Sequence, residues 1–127
     1  MGDPAGIGPE ITVKAWAALR HQPDHAFAVI APVSLFGETL QSQSLPNATA
    51  IDTVDDIQSI FERSFPVLPL ESHTPPLGDP SPLAAPGVTG SIKRAVAETL
   101  AGQADGLITN PIAKDVLYAA GFSHPGH

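Results

Sequence analysis

Prolines and glycines punctuate this chain so densely that no element in it can run long. Fourteen prolines and eleven glycines stand among 127 residues, about a fifth of the chain. A proline removes an N–H and fixes φ, so a helix tends to start or stop near it. A glycine between apolar runs marks a turn or a helix end. The apolar residues, 43% of the total, are thereby divided into short segments, and the length suits one domain with one hydrophobic core. Charged residues make up only 15%, which argues against disorder by composition.

The segments alternate in type. "EITVKAWAAL" predicts a helix with Ile11, Ala15, Ala18 and Leu19 on one face, Pro9 in its first turn and Glu10 at the positive end of its dipole. "AFAVIAP" reads as a strand buried on both faces, "VSLFGETLQSQSL" as a weak helix, "NATAID" as a short strand, "VDDIQSIF" as a helical turn and "FPVLPL" as an extended apolar segment. Residues 71–90 read as a proline-rich crossing loop. "SIKRAVAETLAG" predicts a helix with Ile92, Ala95, Val96, Thr99 and Leu100 on one face, capped by Ser91 and stopped by Gly102. "DGLIT" reads as a buried strand, and "NPIAKDVLYAAG" as a helix that turns Ile112, Val116, Leu117 and Ala120 inward and ends at Gly121. Strands alternating with helices predict an α/β fold with a largely parallel sheet.

Charge and composition exclude several functions. Six basic residues against thirteen acidic ones give a net charge of −7, with no Lys or Arg cluster. No nucleic-acid partner and no anionic membrane surface is therefore expected. No cysteine is present for a disulfide or a thiolate metal site. No secretory leader or membrane-length apolar run is visible, so a soluble, cytoplasmic protein is expected.

Two stretches offer chemistry. The opening "MGDPAGIGPE" carries Gly2, Gly6 and Gly8 before a helix. Glycines there permit positive φ and bare N–H groups, and a helix N-terminus adds partial positive charge. The spacing G-x-x-x-G-x-G is neither the dinucleotide fingerprint nor the P-loop pattern, so a tight structural turn and an anion-binding loop both remain open. Asp3 sits oddly beside a phosphate and suits an amine, a metal shell or a turn cap better. In "LITNPIAK", Thr109 and Asn110 stand where a strand would deliver them to the carboxyl edge of the sheet, the usual ligand edge of open α/β folds. Lys114 is within reach of an anion there. The plainer alternative makes Thr109 or Asn110 a helix cap and Lys114 a solvated side chain. His124 and His127 in "SHPGH" supply too few ligands for a metal, and His21, His25 and His73 have no suitable partners in sequence. Trp16 and Tyr118 read as packing residues.

Taken together, "MGDPAGIGPEI", "DGLITNPIAKDVLYAAGF" and "HPGH" resemble, in that order, the N-terminal part of the 4-hydroxythreonine-4-phosphate dehydrogenase (PdxA) family of vitamin B6 biosynthesis. The resemblance spans residues 1–127 as one N-terminal fragment and is weakest over 22–83. It implies an α/β/α sandwich like that of isocitrate and isopropylmalate dehydrogenases, incomplete here at both ends, because the strand expected before the opening loop is not in the sequence. It implies a homodimer that oxidises a phosphorylated hydroxy-amino acid, 4-phosphooxy-threonine, with NAD and a divalent metal (Zn, Mg or Co), followed by decarboxylation. His127 matches a substrate-contacting histidine of the family. Asp3, Gly6, Gly8, Thr109, Asn110 and Lys114 fall in its motifs, around the expected active-site cleft. The family's metal ligands lie beyond residue 127, so none of the histidines here is expected to bind metal, and the fragment alone is expected to hold no cofactor tightly and to be inactive. A paralogue acting on a 4-phosphothreonate and a non-catalytic anion-binding or dimerising remnant are the alternatives.

Overall fold

The computed structural model describes residues 1–123. Three apolar runs bounded by proline or polar turns become strands: β1 (Val29–Ala31), β2 (Ala48–Ala50) and β3 (Phe65–Pro69). They pair in the order β1-β3-β2, parallel throughout, with Val29 opposite Val67 and Ala48 opposite Phe65. Parallel pairing requires crossovers. Helix α2 (Gly37–Ser42) lies between β1 and β2, and α3 (Ile57–Ile60) between β2 and β3.

Strand β3 is central and yet contains Pro66 and Pro69, residues that a central strand normally rejects. Their placement resolves the conflict. Phe65 N–H donates towards β2, to the Asn47 carbonyl, and Leu70 N–H donates towards β1, to the Ala31 carbonyl. Alternation along the strand therefore turns position 66 towards β1 and position 69 towards β2. Pairing with β1 begins only at Val67 and pairing with β2 ends at Val67. Each missing N–H thus faces a point beyond the partner strand, and no ladder bond is lost.

Side chains alternate across the sheet, so its two faces build two cores. Val29, Ala31, Phe65 and Val67 pack with Val13 and Trp16 of α1 (Gly8–Leu19), with Phe36 and with Leu40 of α2. Ile30, Ile51 and Leu68 pack on the other face with Val54, Ile57, Ile60 and Ala95 of α4 (Ala85–Leu100). These are the three layers of an α/β/α fold with a parallel sheet. Helix α5 (Lys114–Ala119) packs Leu117 against Ala85 and Val88 of α4.

Several local expectations are corrected. Helix α1 buries Val13 and Trp16, while Ile11, Ala15 and Ala18 face outward; of the expected face only Leu19 joins the core. The indole decides the rotation, because burying Trp16 satisfies its N–H on the Phe61 carbonyl at 2.7 Å and stacks it edge-on against Phe65. Helix α4 starts at Ala85, inside the expected loop, and Ser91 is a buried interior residue donating to the Val88 carbonyl, not a cap. Gly87 is tolerated within α4 because its bare Cα lies against Ser72, where a Cβ would come within 2.0 Å of Oγ. Of the face expected on α4, Leu100 is 84% exposed. "DGLIT" is not a strand, and Ile108 is 98% exposed. A strand needs a ladder of hydrogen bonds to a neighbour, and the sheet among the described residues consists of β1, β3 and β2 alone. The last helix begins at Lys114 rather than at Pro111; its stop is as expected, with Gly121 at φ 88° and Phe122 N–H returning to the Leu117 carbonyl.

Met1 lies between the sheet and α4. Its amino group donates to the Ile30 carbonyl at 3.0 Å and to Ser91 Oγ at 3.1 Å. Burial pushes this amine down from 8.0 to about 6. In a polypeptide whose first residue is Met1, the unfolded amine takes up its proton below pH 8 and the folded one only near pH 6. Folding stability therefore falls as the pH drops from 8 to 6 and levels off below. Urea titrations across that window should show a loss on the order of 1–2 kcal/mol. The N-terminally acetylated polypeptide should lack this component, and identical profiles for the two forms would contradict the assignment.

Candidate functional site

The opening loop folds around Asp3. Its carboxylate accepts the Ala5 N–H at 3.0 Å, its carbonyl accepts the Gly6 N–H at 3.1 Å, and its own N–H donates to the Pro111 carbonyl at 3.0 Å. Of the roles open to Asp3, this is the turn cap. Three main-chain donors that an anion would need, those of Asp3, Ala5 and Gly6, are thereby committed within the protein. Gly2, Gly6 and Gly8 do not adopt positive φ; that conformation occurs at Gly78, Gly102 and Gly121.

Close approach, not backbone sign, explains two of the three opening glycines. A Cβ on Gly2 would stand 2.4 Å from the Pro111 carbonyl oxygen and 2.6 Å from Asn110 Cβ. One on Gly8 would stand 3.3 Å from Asn110 Cβ, whereas one on Gly6 would meet nothing nearer than 3.4 Å. The glycines let the segment at 110–111 lie directly on the opening loop and on the first turn of α1. There Asn110 Nδ2 donates to Thr12 Oγ1 at 2.8 Å, and Thr12 in turn donates to the Gly8 carbonyl at 2.7 Å.

The expected residues are therefore only partly assembled. Asp3, Gly6, Gly8 and Asn110 come together with Gly2 of the same loop, joined by Thr12 and Pro111, which sequence reasoning did not assign to the site. Thr12 is half-buried between Ile11 and Val13 on α1, and nothing in the sequence singles it out. Asn110 does not cap α5, whose N-cap is Ala113. Thr109 is exposed beside Asn110; Lys114 is exposed at the start of α5 and reaches none of the opening-loop residues with a hydrogen bond or ion pair. His127 and His124 lie outside the described residues. His21 faces Glu62 at 3.1 Å on the surface, and His25 and His73 are exposed. The crevice bounded by Gly2, Asp3, Pro4, Pro9, Phe36 and Asn110 is too narrow to hold a water molecule.

No group of three His, Cys, Asp or Glu side chains able to hold a metal occurs among the described residues. These residues do not fit a catalytic metal. With the Asp3, Ala5 and Gly6 amides committed, the opening loop does not fit the pyrophosphate of a dinucleotide either. No helix is long and apolar enough to cross a membrane, among the described residues.

Comparison with known proteins is consistent in direction. The family model "Pyridoxal phosphate biosynthetic protein PdxA" matches residues 24–127. A 4-hydroxythreonine-4-phosphate dehydrogenase of Bradyrhizobium diazoefficiens is 37% identical, covering 100% of this chain and 39% of its own length. One from Caulobacter vibrioides is 39% identical over 99% of this chain and 37% of its own length. The crystal structure of a 4-hydroxythreonine-4-phosphate dehydrogenase from Burkholderia phymatum superposes with a TM-score of 0.87 at 28% identity, over 100% of this chain and 39% of that one. The Klebsiella pneumoniae structure of the same name gives 0.79 at 28% identity, over 100% and 40%. The chain spans about two fifths of the length of the curated relatives it matches.

The packing of the opening loop makes a stability prediction. Gly2→Ala should destabilise the fold by about 1–3 kcal/mol through overpacking against main chain. Gly6→Ala should stay within about 0.5 kcal/mol. Thermal or urea unfolding of both variants checks this, and equal effects would remove the close-approach account.

Proposed function

The chain belongs to the PdxA family, and from that membership we propose that it is the N-terminal part of an NAD-dependent 4-hydroxythreonine-4-phosphate dehydrogenase in pyridoxal phosphate biosynthesis. The carrying observation is that the whole of the chain, opening loop included, aligns with dehydrogenases of that name. The reaction is oxidation of the secondary alcohol of a phosphorylated hydroxythreonine, with NAD as the hydride acceptor, followed by loss of CO2 from the resulting β-keto acid. It takes place in the cytoplasm, in a homodimer.

The contribution of these residues is architectural. The opening loop and the first turns of α1 anchor residues 110 and 111, through Asp3 N–H to the Pro111 carbonyl and Thr12 to Asn110. Thr109 and Lys114 take the part of facing the phosphorylated substrate in this reading, which their exposure supports. Gly6 and Gly8 shape the loop, and His127 contacts the substrate. NAD and the divalent metal that assists such oxidations, Zn, Mg or Co, belong to residues other than the described ones. The committed amides of the opening loop weigh against the anion-binding-module alternative.

Two assays test the reading. The full-length natural polypeptide carrying these residues should form NADH from the phosphorylated hydroxythreonine with divalent metal present, and residues 1–127 alone should form none. In the full-length protein His127→Ala should lower kcat/KM far more than His124→Ala. Absence of NADH formation by the full-length protein would overturn the function, and equal small effects of the two histidines would remove His127 from the site.

A further inference from the structure

We propose that Thr12 is a positioning residue for this chemistry: its hydroxyl orients the Asn110 carboxamide and so sets the stance of residues 109–114 against the opening loop. The inference rests on the dehydrogenase reading above and adds to it a residue on α1 that need not touch substrate. Thr12 Oγ1 has a single hydrogen, and that hydrogen goes to the Gly8 carbonyl at 2.7 Å. The contact with Asn110 at 2.8 Å must then be accepted by Oγ1, with Nδ2 as donor. An asparagine amide has two orientations that are nearly indistinguishable by shape. Here the network selects one, with the nitrogen turned to α1 and the oxygen turned away from it.

A threonine bonding back to the carbonyl four residues earlier is ordinary in a helix and carries no function by itself. The link to Asn110 is different, because it joins residues 98 positions apart. It ties a side chain of the opening helix directly to the 109–111 segment. The companion bond from Asp3 N–H to the Pro111 carbonyl is main chain to main chain and holds the segment close without setting the side-chain rotation at 110. Gly8 completes the arrangement, since its bare Cα admits the Asn110 side chain, with Cβ at 3.3 Å and the amide Nδ2 at 3.5 Å from where a Cβ would be. Thr109 and Lys114, on either side of Asn110, inherit whatever orientation this link imposes.

The test uses four variants of the full-length natural polypeptide: Thr12→Ser, Thr12→Val, Asn110→Ala and the double variant Thr12→Val/Asn110→Ala. Side-chain amide exchange at Asn110 is measured by NMR, and kcat and KM are measured well below the unfolding temperature. Thr12→Ser keeps the hydroxyl and should behave as the parent. Thr12→Val should accelerate Asn110 amide exchange at least tenfold. It and Asn110→Ala should each lower kcat/KM by about tenfold, with the double variant no worse than either single one. Unchanged Asn110 exchange in Thr12→Val would overturn the link, whether or not the protein is a dehydrogenase. Unchanged kcat/KM in Thr12→Val, multiplicative effects in the double variant, or a Thr12→Ser variant as impaired as Thr12→Val would overturn the positioning role. Absence of turnover in the parent protein with normal Asn110 exchange would instead sink the dehydrogenase reading, and with it the catalytic part of this inference.

Discussion

The hydrogen bonds made by Met1 and Asp3 hold the parts of this fold in register. Met1 meets the Ile30 carbonyl on β1 and Ser91 on α4, and Asp3 meets the Pro111 carbonyl. Three elements far apart in sequence thus converge on a stretch of three residues. Gly2 sits at the middle of that stretch because Asn110 and Pro111 leave no room for a side chain. Gly87 answers the same need on α4, where Ser72 occupies the space of its missing Cβ. The glycine content that at first sight promises turns serves, at these positions, to let neighbouring segments come into direct contact.

This changes what the opening motif means chemically. A glycine-rich loop leading into a helix is commonly read as an anion cradle, and the reasoning is sound when its N–H groups point outward. Here Asp3 turns the loop in on itself and consumes those donors. The positive helix end remains, with Glu10 in its first turn and paired to Lys14 one turn on. The loop becomes the support on which the segment at 110–111 stands.

The architecture was legible where apolar pattern and proline boundaries agree, as in β1, β2 and β3 and in the helical turns between them. It was less legible where one large side chain outweighs a periodic pattern. Ile11, Ala15 and Ala18 form a plausible inner face by count, but Trp16 has the greater area to bury and a carbonyl waiting for its N–H. Helix α4 was hidden at its start because Pro86, Gly87 and Gly90 read as loop, although proline is harmless in a first turn and Gly87 answers a contact 15 residues away. "DGLIT" has the composition of a strand but is not part of the sheet that the described residues form. Of the site, Asp3, Gly8 and Asn110 were identifiable from their motifs. Thr12 was not, because its partner lies near the other end of the sequence.

The two prolines of β3 have a consequence beyond being tolerated. Each stands where the ladder to one neighbour has just ended, Pro66 on the side of β1 and Pro69 on the side of β2. A two-residue slide of β3 towards the C-terminal end of β1 would bring Pro66 into that ladder, and one towards the N-terminal end of β2 would bring Pro69 into the other, in each case leaving an acceptor carbonyl without its donor. The strand is thus indexed at both ends, like a bolt between two stops. Mispaired sheets are penalised as soon as they begin to form, and the short strands gain a uniqueness of alignment that their few hydrogen bonds alone would not provide.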